Sequence, residues 1–248
     1  MLRRLLNQQI ALSRAFDRLL PESMVRHGAS IYIGKMLPRL ARPGLNVMDV
    51  GSGRFPVFKV ADKQRLGLRI TGLDLNAGEL AAAPEGSYDE TVHADITTYR
   101  GTGDKDLVVC MSVLEHVTDT AAALQSISTI VKPGGVVALF APSRNAFFAR
   151  LNLILPQRLT SWLLKYKPGA HGGDGWTAYY DRCTPKEFRR MAEAAGLEVV
   201  RVEPAYISTY FQVFAPVYVI WRLWMLAFRA VKGEQAAESF CIELRRPE

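Results

Sequence analysis

Two short stretches hold residue types that could grip a nucleoside-bearing ligand. An apolar run, Val47-Met48-Asp49-Val50, ends in the turn Gly51-Ser52-Gly53, and about twenty residues beyond that turn a second run ends Gly72-Leu73-Asp74-Leu75. A glycine turn after a strand lets backbone amides approach a ligand closely, because no side chain stands in the way. An acid at the end of the second strand can accept hydrogen bonds from both hydroxyls of a ribose. Those two features alone suit a nicotinamide or flavin, but two details point elsewhere. The third glycine of a dinucleotide fingerprint is missing from Gly51-Ser52-Gly53-Arg54-Phe55-Pro56. Asp49, just before the turn, is poorly placed beside a pyrophosphate and well placed near a cationic ligand or its ammonium group. The alternative for Asp49 is that it holds the amides of its own loop.

Such residues need a sheet to carry them. The 248 residues fit one large α/β domain, and 49% apolar against 22% charged residues excludes wholesale disorder. Seven runs read as strands: Leu45–Val50, Arg69–Leu75, Thr91–Ala94, Asp106–Ser112, Gly135–Ala141, Leu197–Val202 and Ser239–Leu244. The fourth and fifth are nearly all apolar, as strands buried on both faces should be. Helical stretches alternate with them, which predicts a mostly parallel sheet. One helix spans Thr120–Val131 and stops before Lys132-Pro133-Gly134-Gly135. Another opens at Thr184-Pro185-Lys186-Glu187, with Thr184 as cap, Pro185 at the first position and Glu187 closing a capping box; Gly196 ends it. The whole of 1–248 reads as a single domain with N-terminal helices over 1–40.

The stretch Val47–Gly53 resembles motif I of the class I S-adenosylmethionine-dependent methyltransferases. Asp74 matches their ribose-binding acid, with Leu75 beside it. His93-Ala94-Asp95-Ile96 resembles the segment in which an acid takes the adenine amino group and the next side chain packs on the ring. Asp106–Val117 is similar to motif IV of the small-molecule subgroup that includes the ubiquinone and menaquinone enzymes, and Val131–Gly135 to the turn before their fifth strand. Any one motif is weak; five in the right order and spacing are specific. The resemblance covers residues 40–142 well and the later strands loosely. It implies a Rossmann-like, seven-stranded, mostly parallel α/β sheet with helices on both faces and the last strand antiparallel. It implies S-adenosylmethionine as cofactor, held by Asp49, Gly51, Ser52, Gly53, Asp74, Leu75, Asp95, Ile96, Ser112 and Val113, the last two through their backbone. The departure is Arg54-Phe55-Pro56, where the family often has another glycine.

A sulfonium methyl is already activated, so such an enzyme must place a nucleophile in line, take a proton from a hydroxyl and exclude water. His116, after the fourth strand, is the first candidate base; its alternative is a structural turn. His171, in the glycine-rich Gly169–Trp176 loop, is the second; its alternative is a surface loop. Residues 143–183 read as a substrate cap in which Arg144, Arg150, Arg158, Lys165 and Lys167 alternate with apolar residues, and Arg144 and Tyr180 are the substrate candidates. A basic, amphipathic cap suits an acceptor with an anionic head and a greasy tail. The Pro-Pro-Tyr motif of amino-directed nucleic-acid methyltransferases is absent, as is an appended RNA-binding module, so no nucleic-acid partner is expected.

About 35 residues, 204–236, separate the sixth and seventh strands, far more than an ordinary hairpin. Eight of the chain's 24 aromatic residues fall between Tyr206 and Phe228, so the clustering has a purpose. Pro216 is expected to break or kink the helix there. A single membrane span is rejected because it would strand the seventh strand on the far side of the bilayer and bury Arg222. Three readings stay open: a roof over an apolar substrate site, an interfacial anchor, or a homodimer face. The N-terminus predicts an amphipathic helix with Leu2, Leu5, Leu6, Ile10, Phe16, Leu19 and Leu20 on one face and Arg3, Arg4, Asn7, Arg14, Asp17 and Arg18 mostly opposite. It does not read as a signal peptide. The net charge of +7 fits an anionic partner. Cys110, Cys183 and Cys241 are too few and too scattered for a disulfide framework or zinc cluster, so a cytoplasmic protein without a metal is expected. The function expected is methyl transfer to a hydroxyl of a small or lipid-linked acceptor, at or near a membrane surface. The competing expectation is a non-catalytic scaffold that keeps the fold.

Overall fold

The seven apolar runs form strands β1 (Asn46–Val50), β2 (Arg69–Asp74), β3 (Glu90–His93), β4 (Lys105–Met111), β5 (Val131–Pro142), β6 (Glu198–Ala205) and β7 (Ser239–Arg245) in a computed structural model that describes residues 2–154, 177–208 and 211–248. They make one sheet in the order β3-β2-β1-β4-β5-β7-β6. The pairs from β3 across to β5 are parallel, and β7 runs antiparallel between β5 and β6. This is the Rossmann-like sheet expected. Its strand order reverses between β1 and β4, which opens a crevice at their carboxyl ends.

Side chains alternate across each strand, so β4 feeds two cores. Leu107 and Val109 point into one with Val47, Ile70, Tyr32, Met36 and Phe58. Val108 and Cys110 point into the other with Leu139, Ile242 and the helices α4 (Thr120–Ile130) and α6 (Pro185–Ala194), through Leu124, Ile127 and Phe188. Earlier in the chain lie α1 (Leu2–Asp17), α2 (Val60–Leu66) and α3 (Ala77–Ala81); α5 (Phe147–Ile154) follows β5, and α7 (Ala215–Lys232) precedes β7. Thr184 caps α6, its Oγ1 accepting from the Glu187 N–H at 3.3 Å. The reciprocal half of the expected capping box is not made: the Thr184 N–H donates to the Arg182 carbonyl at 2.7 Å.

A third cluster, Met24, Tyr206, Tyr218, Trp221, Met225, Ala236 and Ala237, joins α7 to the residues after α1. It corrects two expectations, the Pro216 kink and the inward face of α1, and it sorts the clustered aromatic residues. Pro216 opens α7 instead of kinking it, since proline's missing N–H costs nothing in a first turn. The aromatic residues do not form one stripe: Tyr206, Tyr218 and Trp221 are buried, while Phe214 and Trp224 are exposed. On α1 the inward face is Gln9, Ile10, Ser13, Phe16 and Asp17, and Leu5, Leu6, Leu12 and Leu19 are exposed. The cause is polar. Asp17 is drawn inward by Arg222, which is wholly buried and pairs with it at 3.0 Å, and by the Tyr218 hydroxyl, which donates to it at 2.6 Å. No helix among the described residues is long and apolar enough to cross a membrane.

Candidate active site

The ends of β1, β2 and β4 face the crevice, and the first carboxylate there is Asp49. It is 1% exposed. One oxygen accepts from the Ser52 hydroxyl and the other from the Val57 N–H at 2.9 Å. Burial pushes its carboxyl up to about 6, and the nearby Asp74 adds to the rise. Asp49 therefore does hold its own loop, and it also leaves a buried negative charge at the crevice whose cost a cation would offset.

The loop itself is built for close approach. Gly51 has φ +73°, and a Cβ there would meet the Val113 methyls at 2.5 Å. Gly53 has φ +47°, and a Cβ would stand 2.8 Å from Glu79 and 3.1 Å from the Asp74 carboxylate. The Tyr88 hydroxyl donates to the Gly53 carbonyl at 2.9 Å, and its ring lies on Gly72. No sequence motif marks Tyr88; only its place after the second strand could have suggested it. The Arg54-Phe55-Pro56 departure turns outward: Arg54 pairs with Glu79 of α3 at 2.7 Å, and Phe55 is 73% exposed. The glycine cradle is left intact beside it.

Asp74 ends β2, with one oxygen accepting from the Asn76 N–H at 2.8 Å, and burial raises its carboxyl above the usual range. Leu75 is exposed, and its carbonyl lies 2.9 Å from His93 Nε2. Asp95 is exposed and uses one oxygen to cap the turn after β3, accepting from the N–H and hydroxyl of Thr97 at 2.8 Å each. Ile96 is buried among Leu73 and Val108, so its side chain belongs to the core beneath that turn.

At the end of β4, Ser112 takes φ +57°, a left-handed conformation unfavourable for a residue with a Cβ. Its N–H donates to the Phe140 carbonyl at 3.0 Å, which keeps the bend against β5. The next turn, Leu114–His116, presents His116, whose Nδ1 lies 3.1 Å from the Thr177 carbonyl and whose Nε2 lies 3.8 Å from Glu115 Oε1. Glu115 is 4% exposed, and its Oε2 has no hydrogen-bond partner among the described residues. Its carbonyl accepts from the N–H groups of Tyr179 and Tyr180, so the turn after β4 and the residues just before α6 are clamped together. Tyr180 is buried against Phe148, with Tyr179 exposed beside it; the substrate contact expected of Tyr180 would have to come from behind this wall. Arg144 is exposed after β5. His171 and its glycine loop lie outside the described residues, as do Arg158, Lys165, Lys167 and Tyr210. A depression of about 510 Å³ bounded by Gly101, Thr129 and Arg246 lies at the opposite end of the sheet and has no part in this site.

Glu115 is the residue the motif reading passed over. Burial pushes its carboxyl from the ordinary 4.5 up to about 8. Stability due to its protonation is complete below the unfolded value and is lost as pH rises through the folded one. Between about pH 6 and about pH 7.5 the loss amounts to roughly 2 kcal/mol. Glu115→Gln is expected to remove that slope from urea titrations. An unchanged slope would show that water reaches the carboxyl.

The crevice at the strand-order reversal, the uncovered glycine cradle and the two flanking acids suit a cationic nucleoside. A methyltransferase domain is the family matched by residues 13–202. The chain belongs to the methyltransferase-domain family. Similar proteins include the ubiquinone biosynthesis O-methyltransferase of Cupriavidus pinatubonensis, 28% identical over 76% of this chain and 74% of that protein, and that of Burkholderia thailandensis, 30% identical over 65% of this chain and 68% of that one. Among solved structures, the geranyl diphosphate C-methyltransferase of Streptomyces coelicolor, in complex with S-adenosyl-L-homocysteine, superposes with a TM-score of 0.57 at 14% identity over 88% of this chain and 79% of that one. The phosphoethanolamine N-methyltransferase 2 of Haemonchus contortus, in complex with S-adenosyl-L-methionine, gives 0.57 at 14% identity over 95% of this chain and 57% of that one. This methyltransferase uses S-adenosylmethionine. The two structural neighbours are named for methylation at carbon and at nitrogen, so the shared fold does not choose the acceptor atom.

Proposed function

We propose that this methyltransferase acts on a hydroxyl of a small or lipid-linked acceptor at or near a membrane surface. The observation that supports the reading is His116, in the turn after β4 between the Thr177 carbonyl and Glu115. When Nδ1–H donates to that carbonyl, Nε2 keeps its lone pair and is the nitrogen able to take a hydroxyl proton. The names of the sequence relatives support an oxygen acceptor.

In this reading Asp74 accepts from the ribose hydroxyls, with Leu75 beside it. Asp95 takes the adenine amino group with its second oxygen, and Ile96 backs that pocket from the core. Asp49 and Ser52 face the methionine ammonium, and the cradle of Gly51, Gly53, Ser112 and Val113 admits the cofactor to the backbone. When bound, S-adenosylmethionine supplies a methyl group already activated by its sulfonium. The chain's own part is to hold the acceptor in line, take the proton at His116 and exclude water. Arg144, exposed after β5, would meet an anionic part of the acceptor.

Titration calorimetry and a labelled-methyl assay with a hydroxylated aromatic acceptor test this. Because Asp49 titrates at about 6, S-adenosylmethionine should bind several-fold more weakly at about pH 5.5 than at about pH 7.5, as protonation removes the ammonium's partner. Affinity independent of pH would leave Asp49 only its loop role. His116→Ala should lower kcat by about a hundredfold with cofactor affinity unchanged. Unaltered turnover would remove it as the base, and failure of S-adenosylmethionine to bind would bring the scaffold reading forward.

A further inference from the structure

The outward face of α7 is apolar from end to end. Val217, Ile220, Leu223, Trp224, Ala227 and Val231 are exposed at three- and four-residue spacing along about 21 Å of helix, while its one mid-helix charge, Arg222, points inward. A monomeric domain rarely leaves so continuous an apolar stripe in water.

The exposed charges of α1 and α7 themselves all have one sign; the acids just past each helix, Glu22 and Glu234, pair with Arg26 and Arg189. α1 packs on α7, with the Ala215 N–H donating to Gln9 at 3.0 Å and the Ser13 hydroxyl donating to the Gln212 carbonyl at 3.0 Å. α1 exposes Leu5 and Leu12 together with Arg3, Arg4 and Arg14, and Arg18 follows. Its one acid, Asp17, is buried on Arg222, and α7 has no acid at all. The opposite, buried face of α7 connects by ring contacts to the helix after β5. Trp221 touches Phe211 at 5.8 Å between ring centres, and Phe211 touches Phe147 at 5.3 Å. Phe147 opens α5, whose next residue, Phe148, packs on Tyr180 beside Glu115.

We propose that the α1–α7 face is a docking surface for a bilayer bearing anionic headgroups, with the α7 stripe seated in the acyl boundary and the α1 arginines among the phosphates. The proposal rests on the reading of an acceptor met at a membrane, and it names the surface that meets it. A basic, amphipathic face of this kind gains from buried apolar area and from attraction to anionic lipid together. Trp224, stacked on Phe228 at 4.8 Å, stands where an aromatic residue serves as a headgroup-level anchor. A second copy of the chain fits less well. Neither helix exposes an acid that could meet the arginines of a partner across a two-fold contact.

Co-sedimentation with vesicles tests the proposal. The full chain should partition onto mixed phosphatidylglycerol and phosphatidylcholine vesicles at least about tenfold more strongly than onto phosphatidylcholine alone. Ile220→Glu/Leu223→Glu and, separately, Arg3→Glu/Arg4→Glu should each weaken that binding about tenfold or more. Both should leave S-adenosylmethionine affinity and turnover of a soluble acceptor unchanged, since neither set lies in the cofactor or acceptor site. Loss of turnover with vesicle binding intact would therefore indict the methyl-transfer reading, not this one. The docking proposal falls if the unaltered chain ignores anionic vesicles, if the Ile220→Glu/Leu223→Glu chain binds them equally, or if ultracentrifugation shows a dimer that this variant splits.

Discussion

Asp17→Ala is expected to lower the unfolding free energy by about 3–5 kcal/mol, because it strands a buried guanidinium. Arg222 is 0% exposed. Its terminal nitrogens donate to the carbonyls of Tyr206 at 2.6 Å and Met24 at 2.7 Å, and its plane lies 5.5 Å from the Trp221 ring centre. Those groups orient the charge, and Asp17 neutralises it at 3.0 Å. Alanine would also take the acceptor away from the Tyr218 hydroxyl. The penalty comes from the exposed alternative: an unpaired cation in the third cluster must either stay desolvated or pull water and α1 out of place. Urea unfolding followed by tryptophan emission measures it. Removing both charges, in Arg222→Met with Asp17→Leu, should restore most of the loss, since a buried pair and its apolar replacement are often near parity. A cost below about 1 kcal/mol for Asp17→Ala alone would mean that water already reaches Arg222.

The same pair shows where the sequence was legible and where it was not. The sheet could be read because buried parallel strands have to be runs of apolar residues, and all seven runs became strands within a few residues of their expected ends. The glycine turn and Asp74 could be read because their chemistry depends on local spacing. Asp17 and Arg222 lie 205 residues apart, and neither has a pattern that announces the other; a helix-face argument on α1 alone puts Asp17 in water. Tyr88 and Glu115 were missed for a related reason. Tyr88 acts across the sheet on Gly53 and Gly72, and Glu115 matters because of burial, which a motif does not express. The aromatic cluster was visible as composition, but which rings face inward was set by Arg222 and by the start of α7 at Ala215, with Pro216 in its first turn.

At Gly51 backbone conformation and ligand access coincide, so Gly51→Val should reduce S-adenosylmethionine affinity by at least about a thousandfold. Two costs combine. At φ +73° a β-branched residue is strained by more than the roughly 1–2 kcal/mol that a left-handed conformation costs an ordinary one. A Cβ at this point also meets the Val113 methyls at 2.5 Å, so either the loop or the end of β4 must move. Both border the crevice, and the Gly51 N–H is already fixed to the Leu73 carbonyl at 2.6 Å, which leaves the loop little room to yield. Asp74→Ala is the gentler control. It adds no Cβ to a glycine position and removes the proposed ribose acceptor together with the carboxylate's bond to the Asn76 N–H, for an expected loss of about a hundredfold through charge-assisted hydrogen bonds. Calorimetry on both variants, with urea unfolding to confirm the fold, separates the effects. Weak binding by Gly51→Val and intermediate binding by Asp74→Ala would place the cofactor across both strand ends. Full affinity in Asp74→Ala would move the ribose elsewhere. Full affinity in Gly51→Val would mean that the glycine turn serves the chain's own geometry and that the cofactor approaches by another side of the crevice.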